Sequence, residues 1–428
     1  MSLVILLISF FSLLMFKCPI SFSLLISSMV ALLVKGLPLR MVPQNLVEGA
    51  ESFTLLAVPF YILAGEIMNV SGITERIFNF AMAIIGHVRG GLGHVNVLAS
   101  MIFAGISGSA SADAAGLGRI EIEAMRKEGY DISFAASITA VSSTIGPIIP
   151  PSIHLVIYGA ITEVSVADLF IAGILPGILI GLALMITIYI MAKSGIAYCP
   201  TRPKQPFIEI WRAFLKASFS LFAPVIILGG ILIGVVTPTE AGVIAVLYTS
   251  FLGLMYGELS WEKITRAFKN TIRSTAVVMF LLATSKSFAW LITVERVPEN
   301  LTNLMFHFTS NKDVILIFIC IGLLFIGTVE SATANLIIVT PILVSIAGKL
   351  NIDLVHLGLI TVFALMIGLI TPPIGTSLYI VSDVASISFE KMVRATLIYL
   401  IPMIVVLFLL AFFPQIVLFL PKLFGYTG

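Results

Sequence analysis

Two polar blocks in this chain are duplicated at one spacing, and this internal repeat restricts the fold more than any other feature of the sequence. The segment GISGSASAD at residues 105–113 aligns with GTVESATAN at 327–335, an offset of 222 residues. The same offset aligns GPIIPP at 146–151 with GLITPP at 368–373. Because two separate matches share one register, we predict that the chain is a duplication of one structural unit.

Composition decides the class of protein in which this repeat occurs. The chain is 59% hydrophobic and only 11% charged, whereas soluble domains carry roughly a quarter charged residues. Long apolar runs recur and none alternates with period two, which excludes a soluble fold and an outer-membrane β-barrel. We therefore predict an all-α polytopic membrane protein with a first repeat at 1–200, a cytoplasmic connector at 201–216 and a second repeat at 217–428.

Each repeat is predicted to cross the membrane five times. An odd number of crossings inverts the second repeat relative to the first and places both termini outside. Under this topology 17 of the 24 lysines and arginines fall in cytoplasmic segments, as the positive-inside rule requires. The predicted crossings are residues 3–16, 19–35, 53–69, 132–162, 167–192, 217–236, 240–257, 274–293, 354–384 and 389–413.

The duplicated blocks interrupt apolar stretches at membrane depth. The two copies of the first block lie within the apolar stretches 91–127 and 312–349. A helix break exposed to hydrocarbon would leave backbone N–H and C=O groups unpaired, so we interpret both stretches as re-entrant helical hairpins whose tips are buried in protein. The second block combines glycine with proline and breaks the helices at 132–162 and 354–384. Amphipathic arms lying in the membrane interface are predicted at 39–52 and 259–273.

The hairpin tips carry residue types that suit a cation site. Glycine, alanine and serine let the backbone approach a ligand closely, and hydroxyl and carbonyl oxygens are hard donors for a small alkali cation. Asp113 supplies a carboxylate, which at membrane depth requires a cationic or hydrogen-bonding partner. Its repeat mate Asn335 lacks the charge, although the neighbouring Glu330 is able to restore it. We call each hairpin tip, together with the helix break that faces it, a cup. Two cups related by a two-fold axis in the membrane plane are typical of secondary transporters, and helix N-termini that point inward favour an anionic substrate.

Two other interpretations of these blocks are open. Clusters of small residues also form close-packing surfaces between membrane helices. The tetrapeptide GISG matches the G-x-S-G motif of an intramembrane serine protease, in which Ser107 would be the nucleophile and His154 the base. The repeat argues against this alternative, because Ser107 aligns with Val329 and His154 with Thr376, while the duplicated serine is Ser109.

Three charged residues outside the blocks are further candidates. Arg296 follows a predicted crossing and either holds a substrate carboxylate through its forked guanidinium or pairs with Glu295 at the interface. Lys286 and Glu240 lie at membrane depth and form either functional or structural contacts. The three cysteines have no metal-ligand spacing, so no transition metal is expected, and the absence of a P-loop excludes ATP hydrolysis by the chain itself.

Taken together, these motifs resemble the large membrane subunit of tripartite ATP-independent periplasmic (TRAP) transporters, within the ion transporter superfamily. The resemblance extends from end to end. It rests on the helix break at Pro19, the tip at 105–113, the GPIIPP break, TPTEA at 237–241 and the second tip with its double proline. It implies an elevator fold, in which the hairpins and broken helices move as one body against a scaffold braced by the arms.

The resemblance also implies a function. The chain would be a transporter subunit and not an enzyme, in a bacterial inner membrane, importing an organic acid together with sodium ions and without an organic cofactor. A periplasmic solute-binding protein would deliver the substrate, and a small four-helix membrane subunit, expected here as a separate chain, would support the scaffold. Sialic acids and C4-dicarboxylates are both typical substrates of the family, and overall likeness favours a sialic acid.

Site residues are carried over from the family position by position. The resemblance places the substrate near Arg296, Ser109 and Ser331. The first sodium site would consist of Ser107, Ser109, Asp113 and Gly146. The second would consist of Thr328, Ser331, Asn335, Gly368 and Thr371.

Overall fold

The chain forms a bundle of helices. The computed structural model describes residues 2–309 and 311–428, and within these ranges the chain forms helices and turns without a β-strand. Seven helical segments are at least 18 residues long and apolar enough to cross a membrane, one of them Phe53–Val70, in which a helical turn at 53–56 continues into a longer helix; shorter apolar helices accompany them. The all-α membrane fold expected from the composition is confirmed.

The helices follow the same order in the two halves. The helices of the first half are α1 (Ser2–Met15), α2 (Ile20–Lys35), α3 (Met41–Ala50), α4 (Ala57–Val70), α5 (Ile73–Ile85), α6 (Gly91–Ser107), α7 (Ala110–Ala115), α8 (Leu117–Lys127), α9 (Ile132–Ser142), α10 (Ile153–Thr162) and α11 (Val166–Ser194). Those of the second half are α12 (Phe207–Leu232), α13 (Pro238–Met255), α14 (Trp261–Val294), α15 (Val297–Phe308), α16 (Lys312–Gly327), α17 (Ala332–Leu350), α18 (Leu354–Gly368), α19 (Thr376–Ala385), α20 (Phe389–Phe412) and α21 (Pro414–Leu423).

Both helical hairpins and both broken helices are present. The first hairpin consists of α6, a turn at Gly108 and Ser109, and the returning helices α7 and α8. The second consists of α16, a tip at 328–331 and α17. The broken helices are α9 with α10, interrupted at 143–152, and α18 with α19, interrupted at 369–375. In both breaks the double proline contains a cis peptide bond.

Matching side-chain caps begin the two broken helices. Asp131 accepts hydrogen bonds from the N–H groups of Ser133 and Phe134 at the start of α9. Asp353 accepts one from the N–H of His356 at the start of α18. Such caps pair backbone donors that a helix start leaves free. Because 353 − 131 = 222, the caps belong to the same repeat as the tips.

The packing between the halves is reciprocal. Helix α10 of the first half packs against α17 of the second, while α19 of the second half packs against α7 and α8 of the first. The broken helices also meet, because Tyr158 Oη donates a hydrogen bond to the carbonyl oxygen of Leu354 at 2.9 Å. Exchange of equivalent contacts is the pattern that a two-fold relation produces. A separate group, consisting of α2, α3, α4, α13 and α14, packs beside these elements.

Three features differ from the sequence-based expectation. The second arm is not a separate helix, because α14 continues from the arm into the crossing with no glycine or proline to interrupt it. Helix α12 begins at Phe207, inside the predicted connector. Helices α5, α15 and α21 occupy segments for which neither a crossing nor an arm is predicted, because they are shorter than the 18 or so residues that mark a span.

Candidate functional site

The two hairpin tips line one partly open cavity of about 700 Å³. Ser109 of the first tip and Ser331 of the second both contribute to its wall, so the structure brings the two duplicated serines together. Helices α4 and α14 form the opposite side through Gly65, Asn270 and Ser274, among others. The cavity therefore lies between the hairpins and the separate group of helices.

The first turns of several helices meet at this cavity. It is lined by His154 from the first turn of α10, Thr333 from that of α17 and Ser377 from that of α19, and the short α7 also begins there. The first N–H groups of a helix have no partner within the helix, and the helix dipole adds partial positive charge at the same end. Three helices of at least ten residues therefore make the cavity favourable for an anion.

The first cup is formed by the first tip and the first helix break. Asp113 is only 1% exposed, and Ser100 Oγ lies 3.4 Å from its Oδ1. Gly146, in the break, lies against the tip, because a β-carbon at this position would be 3.4 Å from the backbone carbonyl of Ser109. The absence of a side chain at Gly146 thus lets the backbone of the break approach the tip.

Two buried oxygens of the first cup have no hydrogen-bond partner. These are Ser107 Oγ and Asp113 Oδ2. Buried polar atoms are nearly always paired, so the two atoms are available to a ligand. Among the ion pairs of the described residues none involves Asp113. A carboxylate with hydroxyl and carbonyl oxygens around it is a hard donor set, which fits a sodium ion.

The second cup lies at the equivalent position of the repeat but has different electrostatics. Gly368 packs on Gly327 so closely that a β-carbon at Gly368 would be 2.4 Å from the carbonyl carbon of Gly327. Asn335 Nδ2 donates hydrogen bonds to the carbonyl oxygens of Ile326 at 3.0 Å and Glu330 at 3.1 Å. The amide therefore holds the tip closed, which a carboxylate cannot do because it has no N–H to donate.

Hydroxyl groups supply further oxygens at the second cup. Thr328 Oγ1 donates to the carbonyl oxygen of Phe325 at 2.8 Å, and Thr371 Oγ1 donates to that of Ile367 at 2.7 Å. Each hydroxyl oxygen keeps lone pairs for a cation. The nearby carboxylate is Glu330, whose Oε1 accepts the N–H of Ser331 at 3.2 Å. The carboxylate of the second tip, Glu330, is therefore half-buried, whereas that of the first tip, Asp113, is fully buried.

Arg296 does not line the cavity. It is exposed at the start of α15, with a left-handed backbone at φ +53°. Its neighbour Glu295 pairs with Lys35 at 2.5 Å, and not with Arg296. The structure therefore does not bring Arg296 together with Ser109 and Ser331.

Lys286 and Glu240 make local structural contacts. Lys286 Nζ lies 3.1 Å from a carboxylate oxygen of Glu48, and this ion pair joins the arm α3 to α14. Glu240 forms a capping box with Thr237 at the start of α13. Both contacts agree with the structural alternative for these residues.

The protease alternative is not supported. Ser107 and His154 both line the cavity, but Ser107 Oγ is unpaired and His154 Nε2 is hydrogen-bonded to Thr333 Oγ1 at 3.2 Å. A nucleophilic serine requires a base within hydrogen-bond reach. His154 instead joins α10 to the second hairpin.

Four polar residues at one end of the cavity were not predicted. Asn270 Nδ2 donates to Glu66 Oε2 at 2.9 Å, and Asn69 and Arg119 line the wall beside them. The ion pairs of the described residues do not include Arg119. Its sequence signal is its position inside a hairpin, six residues after Asp113, where a charged side chain needs a partner or a cavity.

A helical membrane fold with two hairpin tips, two broken helices and one shared cavity is the architecture of a multi-pass membrane transporter. Comparison with known sequences then gives the family. The chain belongs to the family described as "Tripartite ATP-independent periplasmic transporter, DctM component", which matches residues 7–416. The resemblance found in the motifs is confirmed.

Individual relatives cover almost the whole chain. It is 43% identical to the sialic acid TRAP transporter large permease protein SiaM of Vibrio cholerae, over 95% of this chain and 96% of that protein. It is 38% identical to the C4-dicarboxylate TRAP transporter large permease protein DctM of Pseudomonas aeruginosa, over 89% of each chain. The crystal structure of the Alcanivorax borkumensis YdaH transporter matches with a TM-score of 0.61, covering 88% of this chain and 89% of that one. At 14% identity, this last match shows a shared fold alone.

Proposed function

We propose that this chain imports an organic acid together with sodium ions. The observation that carries this proposal is the meeting of three helix N-termini at a cavity that both hairpin tips line. A carboxylate is the kind of ligand that free N–H groups and helix dipoles stabilise. The tips beside it supply oxygen atoms for the coupling cation, as in other transporters with broken helices.

The proposed sodium sites are the two cups. The first has the stronger support, because Asp113 Oδ2 and Ser107 Oγ are buried and unpaired. Its ligands are Ser107, Ser109, Asp113 and Gly146. The ligands of the second are Thr328, Ser331, Asn335, Gly368 and Thr371.

The proposed substrate is a sialic acid, with a C4-dicarboxylate as the alternative. Support comes from the relatives, because identity to the sialic acid protein is 43% and to the C4-dicarboxylate protein 38%. Ser109 and Ser331 are proposed to contact the substrate between the tips. Arg119, which lines the same cavity, is better placed than Arg296 to face a carboxylate.

The proposed partners and location follow from the family. TRAP transporters are named for a periplasmic component, so we infer a periplasmic solute-binding protein that delivers the acid. We also infer a small four-helix membrane subunit as a second chain, and residence in a bacterial inner membrane. Exposed apolar side chains on α12, such as Phe219, Phe222 and Val225, provide surface for lipid or for such a subunit.

The proposed mechanism is an elevator movement. The hairpins and broken helices would move against α4 and α14, which line the opposite side of the cavity. Among the residues that line the cavity, Asn270 and Arg119 belong to segments that enter from or lie on the cytoplasmic side in the predicted topology, and Glu66 lies near the cytoplasmic end of its predicted crossing. The structure would then correspond to an inward-facing state.

Transport assays test the function directly. The complex of this chain with its small subunit is placed in liposomes, and uptake of radiolabelled sialic acid or succinate is started with loaded binding protein. An inward sodium gradient should drive accumulation of one acid, whereas a potassium gradient of equal size should not. Equal uptake with both cations would contradict sodium coupling, and accumulation of succinate alone would contradict the sialic acid assignment.

A reversible cross-link tests the movement. A β-carbon at Gly65 of α4 would be 3.4 Å from Cβ of Ser107 at the first tip, close to the separation found in disulfides. Oxidised Gly65→Cys/Ser107→Cys should therefore stop transport, and reduction should restore it to the level of Ser107→Cys alone. The matched controls are the single variants Gly65→Cys and Ser107→Cys, which lack a partner for the cross-link and whose transport should be unaffected by oxidation. Full transport by the oxidised test pair would contradict the elevator.

A further inference from the structure

A row of buried polar side chains extends from the first cup into the protein. Ser100 Oγ lies 3.4 Å from Asp113 Oδ1 and 3.2 Å from Ser142 Oγ. Ser142 Oγ donates to Asn96 Oδ1 at 2.6 Å, and Asn96 Nδ2 donates to Glu121 Oε2 at 2.6 Å. All five side chains are at most 1% exposed. The row therefore connects two buried carboxyl groups on α7 and α8.

No lysine or arginine neutralises these two carboxyl groups. The buried polar side chains of the described residues include no lysine or arginine, and no ion pair in the same ranges involves Asp113 or Glu121. An ion transferred from water to a protein interior without compensation costs several kcal/mol. The proposed sodium ion compensates Asp113. Glu121 then requires a cation of its own or a proton.

The atoms around Glu121 suit a proton and not a second metal ion. Asn96 presents its N–H₂ group to Glu121 Oε2 and to Thr139 Oγ1, which lies at 2.7 Å. An amide N–H repels a cation, and Glu121 Oε1 has no hydrogen-bond partner at all. A metal ion would need several oxygen ligands here, whereas a proton needs only one carboxyl oxygen.

The placement of Glu121 in the sequence is also unusual. The buried face of α8 otherwise consists of Leu117, Gly118, Ile122 and Met125. A glutamate on the apolar side of an amphipathic helix is among the rarest buried residues unless it is paired. Its position therefore indicates a specific role.

Few ionisable groups face Glu121 from the helices packed around α8, which are α5, α6, α7, α9 and α19. Asp113 of α7 and His94 of α6 are the buried ones, and His94 Nε2 is hydrogen-bonded to the carbonyl oxygen of Arg89 at 2.8 Å. Helix α9 contributes none. The remaining groups are exposed or only partly buried: Glu75 and Arg76 of α5, Tyr379 and Asp383 of α19, and Arg119, Glu123, Arg126 and Lys127 of α8 itself.

We propose that Glu121 is a proton-binding site linked to the sodium site at Asp113, an inference that rests on the proposed sodium coupling for its second part. Loss of the proton from Glu121 adds negative charge near the first cup and strengthens sodium binding there. Because linkage is reciprocal, sodium binding favours release of the proton. Binding of a proton at Glu121 and binding of the cation at Asp113 therefore oppose one another.

Infrared spectroscopy of the purified complex tests the proton itself. At neutral pH the protein should show the carbonyl stretch of a buried protonated carboxyl group. Glu121→Gln should remove this band while keeping the hydrogen bond to Asn96, and Glu123→Gln, an exposed position on the same helix, should leave it unchanged. No such band, or a band that persists in Glu121→Gln, would overturn the proposal. This result is independent of transport and of sodium coupling.

Sodium titrations at several pH values test the linkage. The sodium concentration that half-saturates the complex, read from its sodium-dependent melting temperature, should fall about fivefold or more as pH rises from neutral to alkaline. In Glu121→Gln the value should be independent of pH, and Glu123→Gln should behave as the natural protein does. Equal pH dependence in all three proteins would overturn the linkage. No stabilisation by sodium in any of them would contradict the proposed function and the linkage, whereas the infrared band would still decide the proton site.

Discussion

The two cups occupy equivalent positions of the repeat and differ in charge. In the first, Asp113 is fully buried and Gly146 leaves room for the tip to approach. In the second, Asn335 uses both amide hydrogens to hold its own tip, and Gly368 is pressed against Gly327. In the first cup the buried carboxylate therefore keeps one oxygen without a hydrogen-bond partner. In the second cup the amide group of Asn335 is paired with the backbone of its own tip.

The difference teaches that the duplication preserves the order of the elements and not their electrostatics. A buried carboxylate with an unpaired oxygen requires a cation or a proton from outside the chain, and the proposed sodium ion would supply that partner in the first cup. The second cup is stabilised by its own amide even when it is empty. We accordingly expect substitutions in the first cup to act on sodium binding and those in the second to act on tip structure.

The largest expected effect is at Asp113. Asp113→Ala removes the buried charge that the cation requires, so sodium-driven uptake should fall at least about a hundredfold, which corresponds to a little under 3 kcal/mol. Asn335→Ala leaves the charge in place and should reduce uptake about tenfold. Initial uptake rates in liposomes, at equal amounts of inserted protein, measure both. An equal loss in the two variants would show that the cups do not differ in charge dependence.

Added methyl groups probe the packing of the two breaks. Gly368→Ala places a β-carbon 2.4 Å from the backbone of Gly327, so the second cup must shift, and we expect a loss of about 2 kcal/mol in folding free energy. Gly146→Ala meets its nearest atom, the Ser143 carbonyl oxygen, at 3.2 Å and should cost about 1 kcal/mol. Melting temperatures in detergent should rank Gly368→Ala well below Gly146→Ala. The reverse order would disprove the tighter packing of the second cup.

A single hydroxyl tests the unpaired oxygens. Ser107→Ala removes one cation ligand, worth about 1.5 kcal/mol, and should raise the sodium concentration for half-maximal uptake roughly tenfold. Ser137 is a matched control, because it is equally buried and donates to the carbonyl oxygen of Phe134 away from the cups. Ser137→Ala should leave the sodium dependence unchanged. A Ser107→Ala protein with normal sodium dependence would remove Ser107 from the site.

The smallest expected effect lies outside both cups. Arg202 of the connector donates to Glu128 at the end of the first hairpin and holds the pKa of that carboxyl below its usual value. A lowered pKa in the folded protein means that this stability is present above the unfolded-state pKa and is lost as pH falls through the folded-state value. Glu128→Gln should therefore destabilise by about 0.5 kcal/mol at neutral pH and have no effect in acid. Thermal melts at pH 7 and at pH 3 give the comparison.

Much of this architecture is readable from sequence because its signals are local. Glycine and serine at 105–113, and glycine and proline at 146–151, predict the helix breaks, as do the copies of these segments in the second half. Long apolar runs predict the membrane spans. The contacts of long side chains are not local. The positions of Glu121 and Arg119 in the sequence mark them as unusual charges inside a hairpin, but which residues they contact depends on how separate helices pack, so neither Asn96 nor the cavity could be named from the sequence.

The unbroken helix α14 makes the link between the arm and the crossing stiffer in the second half than in the first. At about 1.5 Å per residue its 34 residues span about 51 Å, well beyond the roughly 30 Å of the hydrocarbon layer. The corresponding parts of the first half, α3 and α4, are separate helices joined through a short turn at 51–56. In the second half the arm and the crossing therefore form one rigid helix, whereas in the first half they are two helices joined by a turn. Bending between arm and crossing is accordingly concentrated at 51–56.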